Sequence, residues 1–343
     1  MMDVTIRGAG IFGLSIAWAC ALRGARVQVI DPNGIGAGAS GGIVGALAPH
    51  VPENWNAKKE FQFQSLIKAE PFWAQVEAMS GISSGYGRTG RVQPISDASQ
   101  LALAHQRAEN SKTLWRGKAS WSVSDNAPRF APASATGFWI TDTLSARLNP
   151  RLACDALAEA LRLRGVSFAK EGTDQGKTLW ATGTQDLFHV SKMLNRPFGN
   201  GVKGQAVLFD LDRRECSQVF AQSLHFIPHA DGTLAVGSTS ERHYECASST
   251  DEKLDRLITD ALAILPELKS AKLILKWAGL RPRTQSRAPV LGAHPLYPDA
   301  YIANGGFKIG LGMAPRIAEV MADLMLEGID QIPDDFRPEK SLH

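Results

Sequence analysis

Two segments of the 343-residue chain contain residues whose types and spacing could do chemistry. The first contains Gly8, Gly10 and Gly13, which form the pattern G-x-G-x-x-G between a strand-like run and a helical pattern. Such glycines permit a tight turn, let a pyrophosphate approach the backbone, and let the helix pack closely on the strand. A phosphate would then lie at the helix N-terminus beside Ile11 and Phe12. The motif therefore predicts a dinucleotide site.

An acidic residue ends the next predicted strand. Asp31 follows the strand pattern 26–30 and lies 18 residues after Gly13, where a carboxylate can accept hydrogen bonds from a ribose diol. Pro32 follows, and a long loop of small residues continues to Pro49. Such a loop can pass along an extended cofactor with its backbone amides exposed. The alternatives are a flexible linker and a glycine-rich turn that binds no ligand.

The second segment lies nearer the carboxyl end. It contains Arg281 within Gly-Leu-Arg-Pro, and a guanidinium offers a planar pair of donors that fits a carboxylate. A surface cluster with Arg283 and Arg287 is the alternative. The last strand pattern, 301–304, leads into a glycine-rich turn and a helical pattern. A helix N-terminus at this turn could stabilise negative charge on a bound group.

Regular elements must position these two segments. Pro71 is expected to break or kink the second predicted helix. Apolar periodicity predicts helices at 11–22, 57–79, 98–115, 151–163, 251–265 and from 314 or 315 to 327. Strand patterns lie at 4–7, 26–30, 90–95, 166–168, 178–183, 203–209, 224–229, 233–237, 273–277 and 301–304, and residues 230–232 predict a hairpin turn.

Composition excludes several classes of protein. Lys plus Arg number 37 and Asp plus Glu number 34, for a net charge of +3, and no window combines basic with aromatic residues, which argues against nucleic acid as a partner. No apolar run reaches the ~18 residues of a membrane span. The four cysteines form no CxxC pair and no zinc-ligand spacing. We therefore expect no metal site and a reducing, cytoplasmic location.

Residues 8–49 resemble the start of the D-amino-acid-oxidase superfamily of flavoproteins. The loop pattern G-A-S…G-x-L-A-P is similar to the glycine oxidase and D-amino acid dehydrogenase branches, and the G-L-R-P-x-T stretch matches them again within 277–315. The resemblance implies an α/β fold: a Rossmann-like FAD-binding domain of the glutathione-reductase type, interleaved with an α+β substrate domain built on an antiparallel sheet. It assigns 1–55, 139–200 and 278–343 to the FAD domain, and 56–138 and 201–277 to the substrate domain.

The resemblance also implies roles for individual residues. Arg281 would hold the substrate carboxylate, with Tyr244 as a second candidate on the substrate domain. The backbone of Val166 would contact adenine, and Lys308 would either add positive charge near the flavin ring or face solvent. His50, at the end of the flavin loop, could lie near the ring or be structural. The other expected cofactor contacts are Gly8, Gly10, Ile11, Phe12, Gly13, Asp31, Pro32, Ala39, Ser40, Gly45, Ala46, Leu47, Thr182, Gly183, Gly305, Gly306, Phe307, Ile309 and Gly310, together with Arg281.

The implied function is oxidation of the carbon–nitrogen bond of a small amino acid or secondary amine that carries a carboxylate, with hydride transfer to flavin N5. The electron acceptor would be oxygen or a quinone or carrier. Some members bond the flavin to a cysteine after the stretch that matches 289–292, and no cysteine follows Cys246 here, so we expect noncovalent FAD. Two alternatives remain: a flavoenzyme that modifies carboxymethylaminomethyl wobble uridine in tRNA, and a flavin-binding module without turnover.

Overall fold

The structure is a computed structural model that describes residues 3–342. Within this range the strands are β1 (Asp3–Arg7), β2 (Arg26–Ile30), β3 (Ala46–Leu47), β4 (Arg91–Pro94), β5 (Trp121–Ser124), β6 (Trp139–Asp142), β7 (Ala146–Arg147), β8 (Ser167–Ala169), β9 (Lys177–Trp180), β10 (Gly199–Asp210), β11 (Gln218–Ala221), β12 (Leu224–Pro228), β13 (Thr233–Gly237), β14 (Lys272–Thr284), β15 (Val290–Ala293) and β16 (Ala300–Asn304). The helices are α1 (Ile11–Leu22), α2 (Ala57–Ser80), α3 (Ala98–Leu114), α4 (Pro150–Leu163), α5 (Thr184–Met193), α6 (Glu252–Ile264) and α7 (Gly310–Glu327).

A six-stranded sheet in the order β15-β16-β9-β1-β2-β8 forms the first layer. All its neighbouring strands are parallel except β15, which runs antiparallel to β16. Helix α1 buries eleven of its twelve residues, because β1, β2, α4 and α7 all pack around it. The carboxyl ends of β1, β2, β9 and β16 share one edge of this sheet, which is where parallel sheets bind ligands.

An eight-stranded, largely antiparallel sheet in the order β14-β10-β13-β12-β11-β4-β6-β5 forms the second layer. Strands β10 and β14 pair along almost their whole length, with an irregularity between Leu208 and Phe209. The predicted hairpin is confirmed, since β12 and β13 pair antiparallel around the turn that contains Gly232. Helix α6 contributes the buried side chains of Leu254, Leu257 and Ala261 to the core of this layer.

The predicted combination of a parallel nucleotide-binding sheet and an antiparallel sheet is confirmed, but the chain divides differently from the prediction. Residues 139–142 form β6, which pairs with β4 and β5 in the antiparallel sheet. Residues 278–284 continue β14 and pair with β10. The sequence pattern predicted a strand only over 273–277, but β14 continues through Pro282 because it is an edge strand, where proline removes no necessary ladder hydrogen bond. Helix α2, predicted in the substrate domain, packs on α4 and α7.

Two helices also depart from their predicted form. Helix α2 runs unbroken through Pro71, whose exposed position lets water satisfy the carbonyl that the proline ring leaves free. Helix α7 begins at Gly310, about one turn earlier than the pattern predicted, with Pro315 inside it. Of the helices within residues 3–342, none has the length and apolar character needed to cross a membrane.

Candidate active site

A cleft of about 660 Å³ extends from the carboxyl edge of the parallel sheet to β10, β11, β12 and β14 of the antiparallel sheet. It brings together both segments that the sequence singled out, which lie more than 200 residues apart in the chain. The predicted residues that line it are Gly10, Ile11, Phe12, Asp31, Pro32, Ala39, Ser40, Ala46, Thr182, Gly183, Arg281, Gly305, Gly306, Phe307, Lys308 and Gly310.

The turn after β1 has the shape that the glycine motif predicts. Gly8 has a φ of +110°, and a Cβ there would lie 2.4 Å from the carbonyl oxygen of Ala181. A Cβ on Gly13 would lie 1.9 Å from the carbonyl oxygen of Gly8. These two glycines do not line the cleft, but their lack of a side chain lets the first turn of α1 pack directly against the turn after β1. The N-terminus of α1 therefore faces the cleft at Gly10.

Polar side chains fix this turn against its neighbours. The Ser40 hydroxyl accepts a hydrogen bond from the Ile11 N–H at 2.9 Å, at the first turn of α1. One carboxylate oxygen of Asp31 accepts from the Ala9 N–H at 2.8 Å, and the other accepts from the Asn33 N–H at 2.9 Å. Asp31 thus spans from the end of β2 to the glycine turn and lines the cleft beside it, as a ribose-binding acid should.

Asn304, which the sequence analysis missed, connects the turn after β9 to the turn before α7. Its side-chain amide donates to the carbonyl of Gly183 at 2.9 Å, and its side-chain oxygen accepts from the Gly305 N–H at 2.8 Å. The Phe307 N–H donates to the carbonyl of Pro282 at 3.1 Å, which joins the turn before α7 to β14. A polar residue at the carboxyl end of a predicted parallel strand was the available signal.

Arg281 lies in the cleft with its guanidinium fixed by the antiparallel sheet. Nη1 donates to the Ser238 hydroxyl at 2.5 Å, and Nη2 donates to the carbonyls of Thr239 at 2.6 Å and Lys203 at 3.2 Å. Burial lowers the pKa of Arg281 to about 10, and the charge of Glu241 partly offsets this effect. The group is therefore still a cation at neutral pH, held in a poorly hydrated place.

His225, within the predicted strand 224–229, is a cleft residue to which the sequence analysis assigned no role. It lies on β12 opposite Gly237, and its ring packs on Phe220 with centroids 4.7 Å apart. Burial lowers the pKa of His225 to about 3, with help from the charges of Arg91 and Lys308. The imidazole is consequently neutral at physiological pH and adds no charge to the cleft.

Val166 and His50 are two of the predicted contacts that lie away from the cleft. Val166 precedes β8 and lies at the amino end of that strand, whereas the register pairs Ile30, just before Asp31, with Ala169. Val166 therefore lies at the end of β8 opposite to the end nearest Asp31. His50 contacts Gln62 of α2 through its backbone N–H and its ring, which attaches the loop to that helix.

Tyr244 lies in the loop after β13 and lines a smaller hollow with Lys203 and Asp251. Its distance from the cleft follows from the course of this loop, which a sequence pattern does not specify. Gly45 and Leu47 are buried behind the cleft, where a Cβ on Gly45 would lie 1.6 Å from the carbonyl oxygen of Leu148. Ile309 precedes α7 and does not line the cleft.

The cleft fits an FAD molecule. One end has a helix N-terminus and a glycine turn for a pyrophosphate, with an acid beside them for a ribose. The other end reaches the antiparallel sheet, and the intervening wall is the small-residue loop 37–46. The side chain of Phe12 packs against Gly306, where a Cβ would lie 2.9 Å from its ring. This close packing holds the glycine turn before α7 against the first turn of α1.

Comparisons with known proteins agree with this geometry. The family model described as "FAD dependent oxidoreductase" (DAO) matches residues 3–324. The glycine oxidase of Pseudomonas putida is 28% identical over 380 residues, covering 99% of each chain. Among solved structures, a glycine oxidase from Geobacillus kaustophilus has a TM-score of 0.83 at 20% identity, covering 98% of each chain. An iminodiacetate oxidase from Chelativorans has a TM-score of 0.82 at 20% identity, with the same coverage.

Proposed function

Because the chain belongs to the DAO family of FAD-dependent oxidoreductases, we propose that it oxidises the carbon–nitrogen bond of a small amino acid or secondary amine that carries a carboxylate. The main support for this proposal is that Arg281 lies in the cleft without an ion-pair partner. Its guanidinium lines the cleft and is held by one hydroxyl and two carbonyls. No described carboxylate lies within ion-pair distance of it, so its charge is available to an anionic substrate.

The chain's own residues position the substrate and control the charge around it. Arg281 binds the carboxylate and so fixes which carbon–nitrogen bond faces the cofactor. Bound FAD supplies a flavin ring that accepts a hydride at N5. The N-terminus of α7, at Gly310 in the cleft wall, stabilises negative charge that develops beside it. Phe220 and Trp277 contribute apolar wall that excludes water.

We propose that the site binds FAD noncovalently and works without an acid–base triad. No cysteine is among the described residues that line the cleft, which supports noncovalent FAD. His225, the histidine that lines it, is held neutral by burial. Substrate positioning and charge stabilisation therefore account for what the protein itself contributes. Oxygen and a quinone or carrier both remain suitable electron acceptors, because they differ in access to the same ring.

Substitution of Arg281 tests the proposal. We expect Arg281→Met to lower kcat/KM for carboxylate-bearing amines by about 100-fold, because one charge-assisted pair is lost. Arg281→Lys keeps the charge without the planar fork and should retain an intermediate activity. Arg283→Met is the matched control, since Arg283 lies two residues along the same strand but outside the cleft lining. Equal activity in Arg281→Met and the wild type would remove the proposed carboxylate site.

A further inference from the structure

Three cations surround the aromatic ring of Phe307 at the cleft. The guanidinium carbons of Arg281 and Arg283 each lie 5.5 Å from the ring centroid, and the Lys308 ammonium lies 5.9 Å from it. None of the three has a carboxylate within ion-pair distance among residues 3–342, although twenty such ion pairs occur elsewhere in that range. No ion pair with a described carboxylate therefore compensates their mutual repulsion.

Two of these cations line the cleft, and the acids are elsewhere. Arg281 and Lys308 are lining residues, whereas Arg283 is not. Asp31 is the acidic residue among the described lining residues, and it lies at the other end, beside the α1 turn. Glu241, which acts on Arg281 from a distance, is already paired with Lys253 at 3.1 Å.

The side chain of Lys308 is exposed to solvent where it lines the cleft. Desolvation by surrounding protein atoms lowers its pKa, and the charge of Arg281 lowers it further. Among the described residues, its ammonium has no hydrogen-bond partner; its contact is the Phe307 ring. A cation kept beside another cation without an acid is stabilised when an anion binds between them. The N-terminus of α7 supplies positive potential along the cleft wall, which can stabilise negative charge on the flavin ring. The ammonium of Lys308 is then not needed for that role and can bind a second anionic group of the substrate.

From this arrangement we infer that the preferred substrate is dianionic: an amine or amino acid with one carboxylate on Arg281 and a second anionic group, such as another carboxylate, on Lys308. Oxidation of such a substrate rests on the proposed function, whereas binding of a dianion in the cleft does not. An N-carboxymethyl amino acid is the simplest compound of the class. Neutral His225, which also lines the cleft, would repel neither charge.

Ligand binding to the FAD-loaded protein tests the inference without turnover. Oxydiacetate has two carboxylates and no amine, and its monoamide has the same shape with one charge fewer. Binding is measured by the perturbation of the flavin absorption. We expect the holoenzyme to bind oxydiacetate at least ~10-fold more tightly than the monoamide, because one charge-assisted pair contributes about a tenfold gain in affinity. In Lys308→Gln the ratio should fall to about one. Arg283→Gln, the control on the same ring, should keep a ratio within about twofold of wild type.

Oxidation provides the second readout. Wild-type kcat/KM should be about tenfold or more higher for iminodiacetate than for its monoamide, and Lys308→Gln should remove the difference. Equal binding of the two oxydiacetate compounds by the wild type would overturn the inference. So would a Lys308→Gln variant that loses affinity for both compounds alike, which is the result expected if Lys308 only acts on the flavin ring. Failure of every amine to reduce the flavin, with the oxydiacetate preference intact, would instead contradict the proposed reaction.

Discussion

Gly204 lies directly beneath the guanidinium of Arg281, and its replacement by alanine should displace that group. Gly204 is on β10 opposite Gly279 of β14. A Cβ at Gly204 would lie 2.6 Å from both Cζ and Nη2 of Arg281, and 2.9 Å from Nη1. These atoms end a flexible side chain, so the chain can still fold while the guanidinium moves away. The move breaks its bonds to Ser238 and to the carbonyls of Thr239 and Lys203.

The magnitude follows from what the displaced guanidinium no longer does. A hydrogen bond to a charged group contributes about 1.5–3 kcal/mol, and each 1.4 kcal/mol is about tenfold in affinity. We therefore expect Gly204→Ala to raise KM for a carboxylate-bearing amine by about 10- to 100-fold. The FAD end of the cleft lies on the other sheet, so the flavin content should stay at the wild-type value.

Anaerobic stopped-flow reduction of the flavin, at a series of substrate concentrations, measures this effect. Gly201→Ala is the matched control on the same strand, because a Cβ there meets apolar atoms of Leu280, Thr184 and Phe188 at 3.1–3.4 Å. The control should change KM by less than about threefold. A Gly204→Ala protein that binds substrate like the wild type would refute the assignment of Arg281, provided that the protein is folded and yellow.

Three further predictions concern the cofactor turn, a buried histidine and an exposed thiol. Gly13→Ala should lose bound FAD, measured by the flavin-to-protein absorbance ratio, because its Cβ would lie 1.9 Å from the Gly8 carbonyl oxygen. The pKa of His225 is about 3 in the folded protein and ~6.5 in the unfolded chain. Between these pH values the unfolded chain binds one proton more than the folded protein, so stability falls as the pH drops below ~6.5. The decrease in Tm from pH 7 to pH 5 should therefore be smaller in His225→Gln than in the wild type. Hydrogen bonds from Ser249 and Ser248 lower the pKa of exposed Cys246 to about 6, whereas burial raises that of Cys154 to about 12; mass spectrometry after brief iodoacetamide treatment at pH 7 should find Cys246 modified and Cys154 intact.

Local patterns were sufficient for the nucleotide-binding edge. The glycine spacing, the strand patterns around it and Asp31 each express a constraint between residues close in sequence. They predicted β1, α1 and β2 with the correct turn between them. The same holds for the hairpin of β12 and β13, where the turn signal and the alternating strands are contiguous.

Long-range pairing decided the features that the sequence could not show. The strand β14 continues through Gly279 and Pro282 because it lies at a sheet edge beside β10, and no local signal gives its neighbours. Val166 lies away from the cleft because the direction of β8 relative to the cleft edge depends on its pairing with β2. Likewise, the meeting of His225 and Lys308 at one cleft joins segments on two different sheets.

Anaerobic mixing of the yellow holoenzyme with matched amines tests the central claim most directly. The panel pairs glycine with methylamine, sarcosine with dimethylamine, and iminodiacetate with its monoamide, while the flavin absorption is followed. The account predicts that at least one carboxylate-bearing amine bleaches the flavin and that its decarboxylated partner does not. If no carboxylate-bearing amine reduces the flavin, or if the decarboxylated amines reduce it equally well, the role of Arg281 and the proposed reaction are both contradicted.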